Sequence, residues 1–308
     1  MGQQEELQFQ SDGPTLAGTL HRPDGPGPHP ALVMLQGSGA ADRDSDDYFP
    51  PIRDHFVENG IAVYSWDKPG IGESSGDWHQ RDLFDRATEA LDAIRCLRDQ
   101  PGIDPARVGI WGHSQGGWIG PLAASQTSDL AFLVINSGPG ITLPAQNLYG
   151  MEHVLRRDGA SEDEISAALD FMRAVNEASA QARPYEEVAA TLLSPARGTA
   201  GGTYFGEVDA ALWGHFVAFG RRPYDPVTSL DRINCPTLAI FGELDVLTPA
   251  TESAAIFTAA FEKSGNEHLT IITFPGADHR IRVGDPHSFA PGYLEAMSSW
   301  IRQQVGLD

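Results

Sequence analysis

Short apolar runs alternate with amphipathic stretches along most of this chain. "ALVMLQG" (31–37), "IAVYSWD" (61–67), "RVGIWGH" (107–113), "AFLVINSG" (131–138), "TLAIFGELD" (237–245) and "LTIITFPGA" (269–277) are apolar runs stopped by Gly, Asp or Pro. Each is predicted to be a buried strand. Between them, residues 48–59, 81–99, 116–127, 250–263 and 289–305 carry helical patterns. In 81–99, Leu83, Phe84, Ala87, Leu91, Ile94 and Leu97 share one face at 3.6-residue spacing. At the start, "LQFQS" and "TLAGTLHRP" flank Asp12-Gly13-Pro14, which predicts an antiparallel pair. Near-continuous apolar strands alternating with helices imply an α/β fold. Its sheet is mostly parallel and covered on both faces, with the leading pair as an antiparallel edge.

Residues 141–226 break this rhythm with no convincing strand. "LPAQNLYGMEHVLRRDG" and "SEDEISAALDFMRAVNEASAQAR" read as helices, the second started by a Ser161/Glu164 capping box. "PYEEVAATLLS" begins a third behind a proline. "RGTAGGTYFGE" reads as a glycine-rich bend, and 209–216 as a short fourth helix. The chain thus divides into a core, 1–140 with 227–308, and a helical insertion at 141–226 expected to cap the strand ends. Tyr149, Met151, Phe171, Met172, Tyr204, Phe205, Trp213 and Phe216 are its candidate pocket residues, to be weighed against simple packing of the cap.

In sheets of this kind chemistry gathers at the carboxyl ends of strands. Strand 107–113 runs into Gly112-His113-Ser114-Gln115-Gly116, followed by a predicted helix. G-x-S-x-G alone is weak, but a strand before it and a helix after it suit a serine nucleophile exposed on a strained turn. A serine hydroxyl needs a base. His279, in "FPGADHRI", is the only one of ten histidines placed directly after a late strand. His287 is its nearest competitor; His113 is expected to point away from the hydroxyl, and His153 and His215 fall in the insertion. The base needs an orienting acid, and Asp245 ends "IFGELD" ahead of Pro249, with Glu243 two residues earlier. Ser114, Asp245, His279 is the Ser…Asp…His order of the α/β-hydrolases. The loop "LQGSGAADRD" after strand 31–37 is expected to supply an oxyanion donor from the Ser38 amide, beside that of Gln115. Gln36 in that loop and Trp118, one turn into the helix after Ser114, are further pocket candidates.

Composition narrows the partners. Against 42 acidic residues stand 21 basic ones, a formal net charge of −21 that repels phosphate backbones and anionic membrane surfaces. No nucleic acid or membrane is expected as a partner; the expected one is a small-molecule acyl substrate, and a homo-oligomer is compatible with the sequence. Cys96 and Cys235 lack CxxC partners, so they read as buried free thiols, and neither a metal nor a cofactor is expected. "MGQQEELQFQ" lacks the basic start and apolar core of a secretory signal, and no apolar run reaches the ~18 residues of a membrane span. A cytoplasmic location is the expectation.

Together "LQGSG", "DKPGIGESSG", "GHSQGG", "GELDVLTP" and "GADH" resemble the α/β-hydrolase superfamily over nearly all of the chain outside 141–226. The likeness is greatest to an esterase and acyl-peptidase-like branch with a GSGxxDRD loop, here Gly37 to Asp44. It implies an acyl-enzyme mechanism: Ser114 attacks, His279 relays protons, Asp245 orients His279, and the Ser38 and Gln115 amides hold the oxyanion. It also implies that Asp67 to Ser74 is a structural loop near the site. Many relatives carry His where this chain has Gln36. The expected function is a serine hydrolase acting on a small-to-medium carboxylic ester, thioester or lactone. The alternatives are an aminoacyl or peptide hydrolase, and a non-hydrolytic cyclase or lyase on the same residues.

Overall fold

The computed structural model describes residues 2–307. Eight strands form one sheet in the order β1-β2-β4-β3-β5-β6-β7-β8. They are β1 (Gln3–Gln10), β2 (Thr15–Arg22), β3 (His29–Leu35), β4 (Ala62–Trp66), β5 (Ile103–His113), β6 (Leu133–Asn136), β7 (Thr237–Gly242) and β8 (Leu269–Phe274). β1 and β2 are antiparallel to each other and β2 to β4, whereas β4, β3, β5, β6, β7 and β8 run parallel. The expected antiparallel edge and parallel body are both present.

Alternation along each strand sorts the apolar side chains into two cores, because successive residues face opposite sides of a sheet. Val33, Leu35, Ile110 and Ile135 pack on one face beneath α2 (Leu83–Arg98), α3 (Gly116–Ala124) and the helix Ala250–Ser264. Leu32, Met34, Trp111 and Val134 pack on the other beneath α1 (Phe49–Glu58) and the helix Tyr293–Val305. The predicted face of α2 is the buried one at Leu83, Ala87, Ile94 and Leu97, with Phe84 and Leu91 partly covered. Cys235 is buried and Cys96 only half-buried; both are free thiols.

Between β6 and β7 the described residues form helices and no strand. α4 (Leu143–Arg157) and α5 (Glu162–Ala180) match the two helices predicted first, and Ser161 and Glu164 make the reciprocal capping box. The segment predicted as a glycine-rich bend is instead helical at Ala200–Phe205. Thr199 caps it by accepting from the Gly202 amide. A Cβ at Gly202 would lie 2.0 Å from the Ala196 carbonyl oxygen, so glycine here permits a close chain approach rather than a break. The helix Ala210–Arg221 runs further than its predicted 209–216. Two small apolar clusters hold this segment together, around Met151, Ile165 and Met172 and around Val175, Val188 and Trp213.

Candidate active site

The strand order changes direction around β3, whose two neighbours are β4 and β5; Ser38 follows β3 and Ser114 follows β5 there, while Asp245 and His279 follow the carboxyl ends of β7 and β8. Ser114 joins β5 to α3 with φ +54°, in the left-handed region that a non-glycine residue enters at a cost. Two close approaches make this turn. A Cβ at Gly112 would lie 2.2 Å from the Gly116 carbonyl oxygen, and one at Gly116 would lie 2.4 Å from that of Leu35. The Ser114 amide donates to the Asn136 carbonyl at 3.0 Å and its carbonyl accepts from the Gly117 amide at 2.8 Å. The backbone is therefore held while the side chain stays partly exposed.

Asp245, just past β7, is buried, and every bond to its carboxylate has a defined direction. Oδ1 accepts from the Leu247 and Thr248 amides at 2.8 and 2.9 Å. Oδ2 lies 2.7 Å from His279 Nδ1. A carboxylate can only accept, so Nδ1 carries the hydrogen and Nε2 of the neutral ring is left as a base. His279 sits on the loop after β8, two residues before the buried Ile281, whose φ of +56° is an outlier for a β-branched side chain. Glu243 is exposed and accepts from the Gly276 amide at 2.8 Å, tying the same loop to the end of β7. His287 is exposed.

His113 is turned into the core. Its Nδ1 lies 3.1 Å from Asn136 Nδ2, and its ring packs 5.0 Å from that of His279. Burial, with the neighbouring His279 and Arg280, holds it well below the ordinary histidine range. It is thus a neutral, buried ring packed against His279. Among the described residues no hydrogen bond joins Ser114 Oγ to His279. Such bonds often tighten only when substrate binds.

Ser38 and Gln115 line, with Ser114, one cavity of about 370 Å³. Among the described residues neither of their amides donates to a protein acceptor, and Gln115 caps α3, where helix geometry leaves N–H groups unpaired. The Ser38 loop is pinned by Lys68, whose Nζ donates to the carbonyls of Gly37 and Gly39. Lys68 is buried, and that burial, together with Arg86, pushes its ammonium well below the usual lysine range. The rest of the loop is anchored by Asp42, which accepts from the Asp44 and Ser45 amides, and by Arg43, which pairs with Asp67 at 2.7 Å. Sequence reasoning gave the Asp67–Ser74 loop a structural part but did not single out Lys68. An apolar strand followed by one lysine among glycines was the available signal.

Of the ten pocket candidates, Trp118, Tyr204 and Phe216 line the cavity. Met151, Phe171, Met172 and Phe205 pack in the apolar clusters of the helical segment instead, and Gln36, Tyr149 and Trp213 do not line it either. Gln36 is 0% exposed, with Nε2 donating to the Trp66 and Asp42 carbonyls, so it ties β3 to β4. Tyr149 stacks on His153 and donates its hydroxyl to the Asp245 carbonyl at 3.1 Å, behind the site. Trp213 is 2% exposed and donates to the Arg183 carbonyl inside the helical segment. The residues that line the cavity instead include Trp78, Leu143, Gln146, Asn147, His215 and Phe219. Five lining residues, Leu143, Asn147, Tyr204, Phe216 and Phe219, also line an adjoining, more apolar cavity of about 740 Å³.

Among the described residues no cluster of three His, Cys, Asp or Glu side chains could hold a metal ion, and no helix is long and apolar enough to cross a membrane.

Residues 32–291 match the model of the alpha/beta hydrolase family. Thiohydrolase aneE of Aspergillus aculeatus is 38% identical over 114 residues, 36% of this chain and 34% of that protein. Esterase EstD of Thermotoga maritima is 24% identical over 287 residues, 91% of this chain and 61% of that protein. The chain therefore spans between about a third and three fifths of these relatives' lengths. Among solved structures, DcsB in complex with its substrate analogue superposes with a TM-score of 0.65 at 19% identity. That match covers 99% of this chain and 100% of that one, a likeness of fold.

Proposed function

The chain belongs to the alpha/beta hydrolase family, and from that premise we propose that it is a serine hydrolase cleaving small-to-medium carboxylic esters through an acyl-enzyme on Ser114. One observation carries this reading. Ser114, held at positive φ, opens on the same cavity as the two unpartnered amides of Ser38 and Gln115. The Asp245–His279 bond supports it from the other side.

In the first half-reaction Ser114 Oγ attacks the ester carbonyl as His279 Nε2 takes its proton. The carbonyl oxygen becomes an oxyanion held by the Ser38 and Gln115 N–H groups. Asp245 stabilises the imidazolium without itself taking the proton. Collapse returns that proton to the leaving alcohol and leaves the acyl group on Ser114. In the second half-reaction water attacks, His279 takes its proton, and collapse returns the proton to Ser114 Oγ as the acid leaves. The α3 N-terminus adds a favourable dipole to the oxyanion.

A thioester is the second substrate reading, favoured by the relative named a thiohydrolase. The same residues serve, with a thiol as leaving group.

The test is Ser114→Ala, assayed with p-nitrophenyl acyl esters, matched thioesters and aminoacyl anilides, and with a fluorophosphonate probe. The expected result is loss of labelling and a fall in kcat of about 10⁴-fold or more on the ester or thioester. Unchanged turnover and labelling would overturn the proposal.

A further inference from the structure

His215 has no part in the acyl transfer just described, yet it lines the same cavity as Ser114. Its Nδ1 lies 3.1 Å from the His79 carbonyl oxygen. A carbonyl can only accept, so Nδ1 carries the hydrogen and Nε2 of the neutral ring is an acceptor. Among the described residues Nε2 has no hydrogen-bond partner, and it is not among the buried orphan atoms, so it is open to the cavity rather than sealed in protein. Trp78 packs edge-on at 4.9 Å and Phe219 at 4.7 Å, clamping the ring. Burial is the main reason His215 titrates low, at about 4, so the ring stays neutral near pH 7.

Two amides on α4 add to the same polarity. Gln146 Nε2 donates to the Leu247 carbonyl at 2.9 Å, which among the described residues leaves Oε1 without a protein donor. Asn176 Nδ2 donates to the Pro144 carbonyl, so Asn176 Oδ1 is the atom facing Asn147, and Asn147 must present Nδ2 to it at 3.1 Å. Asn147 Oδ1 is then also left without a donor among the described residues. Both residues line the cavity. The Tyr204 hydroxyl can donate or accept and does not set a direction.

We propose that His215 is a specificity-determining residue: Nε2 accepts a hydrogen bond from a hydroxyl or N–H group of the substrate, with Gln146 and Asn147 as neighbouring acceptors. The substrate class is an ester bearing such a donor on a part that reaches the His215 wall, while its apolar remainder fits the adjoining cavity lined by Phe216 and Phe219. This rests on the hydrolase reading for the reaction but not for the recognition. A donor-free analogue leaves the fixed acceptor desolvated and unpaired, which is how a buried polar group discriminates.

The experiment uses pairs of substrates that differ only in whether the oxygen carries a hydrogen. One set is the p-nitrophenyl esters of 2-, 3- and 4-hydroxyphenylpropanoic acids against their methoxy analogues. The other is hydroxyphenyl acetates against methoxyphenyl acetates. Wild type should prefer the hydroxyl member of at least one pair by about 10- to 100-fold in kcat/KM. His215→Phe should bring that ratio to near 1. His215→Gln, which keeps an acceptor, should restore part of the preference. Fluorophosphonate labelling of Ser114 in the same preparations confirms that each variant is folded and chemically intact. Binding of the same ester pair to Ser114→Ala reads the discrimination without turnover, so failure of hydrolysis and failure of recognition are told apart. No preference in either set, or a preference that survives His215→Phe, would overturn the proposal.

Discussion

The sheet's strand ends and the helical segment between β6 and β7 both border the candidate cavity, but different forces hold them. At the strand ends the constraint is backbone against backbone. Gly112 and Gly116 admit carbonyls where any side chain would collide, Ser114 is held at positive φ, and Lys68 pins the Ser38 loop through two carbonyls. In the helical segment the constraint is side chain against side chain, through two small apolar clusters and long exposed helix faces. A site built from backbone contacts has few ways to give. A wall built from packed side chains can be repacked, which suits chemistry on one side and selection on the other.

The contrast can be broken at several points, and the largest expected effect is on the Asp245–His279 pair. Asparagine at 245 cannot satisfy all three donors that the carboxylate now serves: two backbone amides and His279 Nδ1–H. With its amide nitrogen turned to His279, the imidazole would flip tautomer and lose the base at Nε2. Asp245→Asn should lower kcat by about 10⁴-fold with little change in KM, measured on the ester that Ser114→Ala abolishes. A loss below tenfold would argue that Asp245 does not orient the base.

Next comes Gly112→Ala, which sets a Cβ against a backbone oxygen at 2.2 Å. The neighbour is main chain and cannot rotate away. A stability loss of about 2–4 kcal/mol is expected by urea unfolding, with slowed fluorophosphonate labelling from a displaced Ser114. Lys68→Met keeps the alkyl stem but strips the donors from the Gly37 and Gly39 carbonyls. Because it acts through the Ser38 amide, it should lower kcat about 10- to 100-fold and leave KM nearly unchanged. An equal rise in KM would point to a general collapse of the loop instead.

The same division explains what could be read from residues alone. β3 to β7, the serine turn and Asp245 follow from local pattern, because each is or directly follows an apolar run that a buried strand explains. β8, ahead of His279, reads as buried by the same pattern, but as the edge strand it is only half-covered. The cavity wall does not. Along Ala210–Arg221 the sequence "AALWGHFVAFGR" is apolar on nearly every side, so periodicity cannot tell which face turns inward. Trp213 turned inward to the Arg183 carbonyl, while His215 and Phe216 turned to the cavity. Gln36 misled for a related reason. Its position beside the glycines suggested a pocket, but its partner is the Trp66 carbonyl, a pairing set by how β3 lies against β4. The glycines of 197–207 looked like a break; close packing put Gly201 and Gly202 inside a helix, while Gly198 and Gly206 flank it at positive φ.

Acid tests both regions at once. His21 on β2 and His215 in the helical segment titrate near 4, chiefly through burial, and His113 beside Ser114 is also held low. In the unfolded chain these groups titrate near 6.5. As pH falls from about 6.5 to about 4 the unfolded state takes up protons that the folded state refuses, so stability falls across that window. Below it, His21 and His215 add no further loss. The melting temperature should therefore drop steadily between pH 7 and pH 4, and His215→Phe should make the drop shallower. An unchanged slope would mean that the helical segment opens to water before the sheet does.

The smallest effect is the most direct check on the comparison. Gly214 lies in the middle of the helix Ala210–Arg221, and a Cβ built there meets nothing within 4 Å. A glycine inside a helix costs conformational entropy that alanine does not, and here no backbone stands in the way. Gly214→Ala should therefore stabilise the protein by about 0.5–1 kcal/mol in urea unfolding, the opposite sign from Gly112→Ala. Because residues 213 and 215 flank it, the variant also asks whether the wall depends on a loose helix. If ester selectivity is kept while stability rises, selection lies in the side chains of His215 and its neighbours. If selectivity is lost with folding intact, the helix must flex for substrate to enter, and glycine is retained at 214 for that motion.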